Sequence, residues 1–109
     1  MRAAINGTPI AKVGYYTGTA EEYQELAKWE VTENKIGYLG TVNLQSIAND
    51  NALFKIIINT TTVIEDAEIN GTINLKFPEG SIVESITVFA KSDGVKTIAS
   101  HASITGKEV

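Results

Sequence analysis

Between Leu53 and Ile104, apolar and polar residues alternate in short runs, and each run ends in a group of turn-forming residues. Period-two alternation belongs to an extended chain with one buried face, so the stretch reads as four or five short β-strands. In the run from Leu53 to Ile58, Phe54, Ile56 and Ile58 share one face, and Leu53, Lys55 and Ile57 share the other. Apolar residues on both faces imply burial between layers or against a neighbouring subunit. Ile73, Leu75 and Phe77 alternate with Thr72, Asn74 and Lys76, as in a half-buried antiparallel strand. That strand ends at Pro78-Glu79-Gly80, where proline presets φ and glycine permits the reversal. Asn59-Thr60-Thr61 is a second turn, leading into a strand over residues 62–65, and Asp66-Ala67-Glu68 reads as an acidic bend.

The last two strands read as a hairpin about Ser92-Asp93-Gly94. A two-residue turn would place the apolar sets Ile82, Ile86, Val88, Ala90 and Ile98, Ala102, Ile104 on opposite faces. A three-residue loop with Gly94 in the left-handed conformation pairs Ala90 with Ile98 and Ile86 with Ala102, and is therefore expected. Phe89 then points to the other face beside Thr87 and Lys91, as a second-layer core residue or an exposed contact.

Upstream, Ile36, Tyr38, Val42 and Leu44 fall on one face and Gly37 and Leu39 on the other. Gly40 between them suggests a bulge or a close backbone approach. Residues 46–51 read as a loop. Thr19-Ala20-Glu21-Glu22 has the spacing of a helix capping box, and Tyr23, Leu26 and Ala27 recur at helical spacing with Glu21, Glu25 and Lys28 outside. One short helix is expected there, and Trp29 and Val31 begin a strand. Before it, Asn6-Gly7, Pro9, Gly14 and Gly18 punctuate an extended arm or edge strand, in which Tyr15 and Tyr16 point to opposite faces. The expected organisation is an N-terminal arm and short helix over 1–30 and a β-domain over 31–109. The expected fold class is all-β with one short helix: an antiparallel β-sandwich, with the jelly roll as one form open to it. Its edges need cover, and a symmetric neighbour is one way to supply it.

With 109 residues the chain fits one hydrophobic core. It has no cysteine, which excludes disulfides, thiolate metal sites and cysteine nucleophiles. The net charge of −4 and the scatter of Lys and Arg argue against nucleic acid as a partner. No apolar run approaches the roughly 20 residues of a membrane span, and Asn6-Gly7 and Pro9 interrupt the N-terminus before a signal-peptide core could form. A soluble, unprocessed chain is expected.

Chemistry is sparse. His101 is the sole histidine, so no transition-metal set can be completed. Glu65, Asp66 and Glu68 are the densest acidic group but lack the spacing of a calcium loop. No phosphate loop, nucleophile elbow or paired metal-binding histidines occur. No enzyme activity, cofactor, catalytic residue or metal site is expected. Asn6, Asn59 and Asn70 begin N-glycosylation triplets, and Asn6-Gly7 and Asn70-Gly71 are equally sites for deamidation. The aromatic residues Tyr15, Tyr16, Tyr23, Trp29 and Tyr38 could form a sugar-stacking platform; their spread over different elements favours core or interface roles.

The segments Ala52 to Ile58, Val63 to Asp66, Ile73 to Pro78, Val88 to Gly94 and Ile104 to Val109 together resemble small accessory structural proteins of tailed bacteriophages. These are head-decoration or cement proteins, small β-domains bound outside a capsid. The resemblance lies in strand and turn rhythm over the last sixty or so residues. It implies a virion protein made in the host cytoplasm and carried on the capsid surface, with the major capsid protein or other virion proteins as partners. It also implies a homo-oligomer, with a trimer favoured. Tyr15, Tyr16, Tyr23, Trp29 and Phe89 are the expected partner-binding residues, because aromatic side chains anchor interfaces. The alternative is a receptor- or carbohydrate-binding sandwich of a phage fibre or bacterial surface protein.

Overall fold

The computed structural model describes residues 7–46 and 52–109, and within them most of the chain is β-strand. In chain order the strands are β1 (Thr8–Gly18), β2 (Gln24–Glu30), β3 (Gly37–Ser46), β4 (Ala52–Ile58), β5 (Thr61–Ile69), β6 (Gly71–Lys76), β7 (Ile82–Val83), β8 (Ser85–Lys91) and β9 (Ile98–Glu108). They form two antiparallel sheets. One has the order β1-β9-β3-β6, with β7 continuing the line of β6 along β3; the other has the order β2-β8-β4-β5. The β4–β5 hairpin stays within its sheet and β6 leads into β7, whereas the other connections cross to the opposite sheet. That path is a double-sheet jelly roll, the form of β-sandwich the alternation left open.

The inward faces meet in one layer. Val42, Leu44, Ile98, Ala102 and Ile104 come from the first sheet, and Trp29, Phe54, Ile56, Ile86, Val88 and Ala90 from the second, all buried. At about 1.5–3 kcal/mol for each large side chain removed from water, this layer is the main source of stability.

No helix occurs among the described residues. The stretch expected to be helical contains β2, which carries a bulge between Glu25 and Ala27. The extra residue, Leu26, points into the core together with Ala27, so two consecutive apolar residues are buried in an otherwise alternating strand. Tyr23, Leu26 and Ala27 thereby acquire helical spacing without a helix. The expected division at residue 30 also changes character. β1 pairs with β9 along its whole length and β2 pairs with β8, so residues 8–30 supply one edge strand to each sheet.

The expected β8–β9 hairpin is replaced by a crossover. β8 already has β2 on one side and β4 on the other, which leaves no place beside it for β9. β9 instead lies between β1 and β3, and the two apolar sets face each other across the core, apart from Ile82, which belongs to β7 and is exposed. The connecting loop is held by Asp93 Oδ1, which accepts from Val95 N at 2.8 Å and Lys96 N at 3.0 Å, while Gly94 adopts φ 90°. The bulge expected at Gly40 is present, between Leu39 and Thr41. It reverses the alternation, so Leu39 and Val42 both point inward and Tyr38 faces outward, contrary to the expected grouping of Tyr38 with Val42 and Leu44. Asp66 also lies within a continuous β5 rather than at a bend, at φ 54°. Asn59 fills the positive-φ position of the β4–β5 turn at φ 59°, a conformation asparagine tolerates better than most residues. Of the loop expected over 46–51, Ser46 closes β3, and residues 47–51 lie outside those described.

Phe54 has no exposed surface and lies centrally in the buried layer. Phe54→Ala is expected to destabilise the protein by about 3–5 kcal/mol, measured as a lowered urea midpoint at unchanged m-value.

Candidate functional site

The structure sorts the five expected contact residues into three environments. Trp29 is enclosed, at 1 % exposure, and is a core residue rather than a contact. The β2 bulge sets its direction, and two glycines of the facing sheet make room for it. A Cβ on Gly106 would lie 2.7 Å from indole Cζ3, and one on Gly37 3.3 Å from Cζ2. The indole Nε1 donates to Glu108 Oε2 at 2.9 Å, and Thr32 N donates to the same oxygen at 3.0 Å. These donors, Trp29 first and Thr32 second, hold the Glu108 carboxyl below the usual glutamate range, and the charge of Lys12 adds to the effect.

Tyr23 and Phe89 come together on the outer face of the β2-β8-β4-β5 sheet. Their rings meet edge to face with centroids 6.4 Å apart. Lys55 Nζ sits 4.7 Å from the Tyr23 centroid and 4.9 Å from that of Phe89, and Lys91 Nζ sits 4.5 Å from Tyr23. The Tyr23 hydroxyl donates to Asp66 Oδ1 and accepts from Asp66 N at 3.0 Å. Lys91 Nζ lies 3.5 Å from the same carboxylate oxygen. Burial, with the Asp66 hydrogen bond second, pushes the Tyr23 hydroxyl up to about 12, and the Tyr23 bond lowers Asp66. Tyr23 precedes one edge strand of this sheet and Asp66 belongs to the other, so the side chain straps the sheet across β8 and β4. The cluster satisfies itself, and Lys55, a charge within an otherwise apolar strand, was its one sequence signal. The neighbouring acids do not converge on a cation: among the described residues no group of three His, Asp or Glu side chains could hold a metal.

Tyr15 and Tyr16 take opposite faces, as alternation requires. Tyr16 packs against the core and its hydroxyl accepts from Ala20 N at 3.0 Å. Tyr15 is 70 % exposed on the outer face of the β1-β9-β3-β6 sheet, stacked on His101 at 5.6 Å, next to the exposed Val13. Cross-strand register defines this face as the rows Tyr15-His101-Gln45-Thr72, Val13-Ser103-Asn43-Asn74 and Ala11-Thr105-Thr41-Lys76. Lys76 is the sole charge in them. Side chains there bond to one another, Thr41 to Thr105 at 2.6 Å and Asn43 to Ser103 at 3.3 Å. The outer face of the opposite sheet instead carries Glu25, Lys28, Glu30, Lys55, Glu68 and Lys91 at its register positions.

At the Lys76 end of this face lies a groove of about 810 Å³ that was not anticipated from sequence. It forms where the Gly40 bulge turns Tyr38 outward and where the chain arches away from β3 between β6 and β7. Tyr38 and Phe77 line it, with Thr41, Thr105, Lys76 and Lys107, and Glu79 belongs to its wall. Lys107 Nζ lies 5.7 Å from the Tyr38 centroid. The expected set of five platform aromatics is thus dispersed: Trp29 in the core, Tyr16 against it, Tyr23 outside one sheet, Tyr15 and Tyr38 in different rows outside the other.

The eight long strands and their order define the class, a jelly-roll sandwich. No protein-family model and no curated protein matches the chain. Among solved structures it is similar to a chain of the cyanophage Pam1 capsid asymmetric unit, with TM-score 0.55 and 10% identity, over 98% of this chain and 93% of that one. At that identity the likeness is one of fold.

Two outcomes test the internal bonds. Tyr23→Phe removes only the hydroxyl and is expected to lower stability by about 1 kcal/mol, measured by urea denaturation. For Glu108, a carboxyl lowered in the folded state stabilises at pH above its unfolded value, near about 4.3, and that contribution is lost as pH falls through the folded value. Glu108→Gln is therefore expected to melt below the wild type at pH 6, with the gap narrowing by pH 3; parallel melting curves would contradict the assignment.

Proposed function

We propose that this protein is a structural component of a bacteriophage virion, acting as a decoration or cement protein on the outside of the head. One observation carries the reading: the fold is shared over nearly the whole chain with a chain of a phage capsid asymmetric unit. The surface chemistry supports it. One outer face is free of acidic residues among the described positions, presents Val13 and Tyr15, and bonds its own polar groups to each other. With one charge in its three register rows, such a face loses less on desolvation than the charged outer face of the other sheet, and so suits burial against protein.

In this reading the protein is made in the host cytoplasm, is not an enzyme, and binds the major capsid protein or its neighbours after the shell has formed. It assembles as a homo-oligomer, with a trimer favoured. It stabilises the particle by mass action, because rupture must also break its contacts. The test is co-sedimentation with assembled shells lacking the protein, with unassembled capsid subunits as control. Saturable binding to shells alone, in fixed ratio to capsomers and with a raised rupture temperature, is the expected result. Failure to bind shells overturns it.

A further inference from the structure

We propose that the groove between Tyr38 and Phe77 is the docking site for a carboxylate-bearing, extended segment of the shell protein. The inference rests on the virion reading and adds to it which end of which face makes contact, and with what chemistry. Charge is the first argument. The chain carries −4, yet Lys76 and Lys107 both stand on an outer face whose register rows contain no carboxylate. Neither ammonium has a carboxylate within ion-pair distance among the described residues, whereas Lys28 is paired with Glu30 and Lys91 with Asp66. Glu79 is the one acidic side chain on the groove wall, against the two lysines. An acidic segment is therefore drawn to this end of the molecule and repelled by the acidic remainder, which fixes orientation as well as attraction.

Shape is the second argument. The groove is open, and its volume of about 810 Å³ lies within the range of ligand-binding clefts. Tyr38 is half-buried, so its ring is already held in place by β3 and by the Lys107 ammonium against it. A ring fixed in advance loses little freedom on binding, which is the property of an interface anchor. The Thr41 and Thr105 hydroxyls border the groove and can exchange their mutual bond for bonds to a peptide carbonyl or carboxylate.

The test measures binding to assembled shells lacking the protein, as a function of salt, for the wild type and three variants. Lys76→Glu with Lys107→Glu is expected to weaken binding at least about tenfold at low salt and to flatten the salt dependence. Tyr38→Ala, which leaves charge unchanged, is expected to weaken it about tenfold. Lys28→Glu with Lys96→Glu makes the same change in net charge away from the groove, on the opposite sheet and at the far end of β9, and is expected to bind within about threefold of the wild type. Thermal melting of each variant separates lost contacts from lost folding. If the wild type binds and both groove variants bind as it does, or if the remote pair weakens binding as much as the groove pair, the docking site is refuted and the virion reading stands. If the wild type itself does not bind shells, the virion reading falls and the docking site with it.

Discussion

The indole of Trp29 hydrogen-bonded to Glu108 is the contact on which the rest of the arrangement depends. It joins the edge strand of one sheet to the last strand of the other, through an atom pair 2.9 Å apart in the buried layer. The ring fits because Gly37 and Gly106 carry no side chain where it lies. A carboxylate in such a place is tolerated only with donors, and Trp29 Nε1 and Thr32 N supply them. The apolar residues around it can pack in several ways at similar energy, but this polar contact fixes how β2 sits on β9. One of the aromatic residues expected to anchor an interface is therefore a determinant of the fold.

From that contact outward the two faces of the sandwich diverge. The β2-β8-β4-β5 face is charged, and its aromatic pair is occupied internally, with Tyr23 bound to Asp66 and two lysines resting on the rings. The β1-β9-β3-β6 face carries one charge, Lys76, in three register rows, and Lys107 adds a second at the same end. In an acidic molecule this separation makes the two sides unequal partners for another protein. The bulge at Gly40 links fold to function here, since the same extra residue that restores Leu39 and Val42 to the core turns Tyr38 out to the groove.

Strand content, the turns at Asn59 and Pro78, the bulge at Gly40 and the opposite directions of Tyr15 and Tyr16 were legible in the sequence, because each depends on neighbours a few residues away. The helix predicted near Tyr23 was misread for a local reason. A bulge at Leu26 buries two adjacent residues, and that produces the same spacing as one turn of helix. The predicted β8–β9 hairpin was misread for a non-local one. Both neighbours of β8 come from distant parts of the chain, and the turn at Gly94 serves a crossover as readily as a hairpin. The candidate sites were legible only in part. Tyr23 and Phe89 were named, but Lys55 and Asp66, which meet them, belong to β4 and β5.

The sequence by itself determined that this chain is an antiparallel β-protein with one apolar layer, no cysteine chemistry and an acidic balance, since period, composition and turn residues are properties of the chain alone. Tertiary structure decided which strands are neighbours, that Trp29 lies inside, and that Lys76 and Lys107 share a groove with Tyr38. Those facts depend on pairings between residues far apart in sequence, 79 positions in the case of Trp29 and Glu108. Strand alternation records which face of a strand is buried, but it carries no information about the strand that covers it.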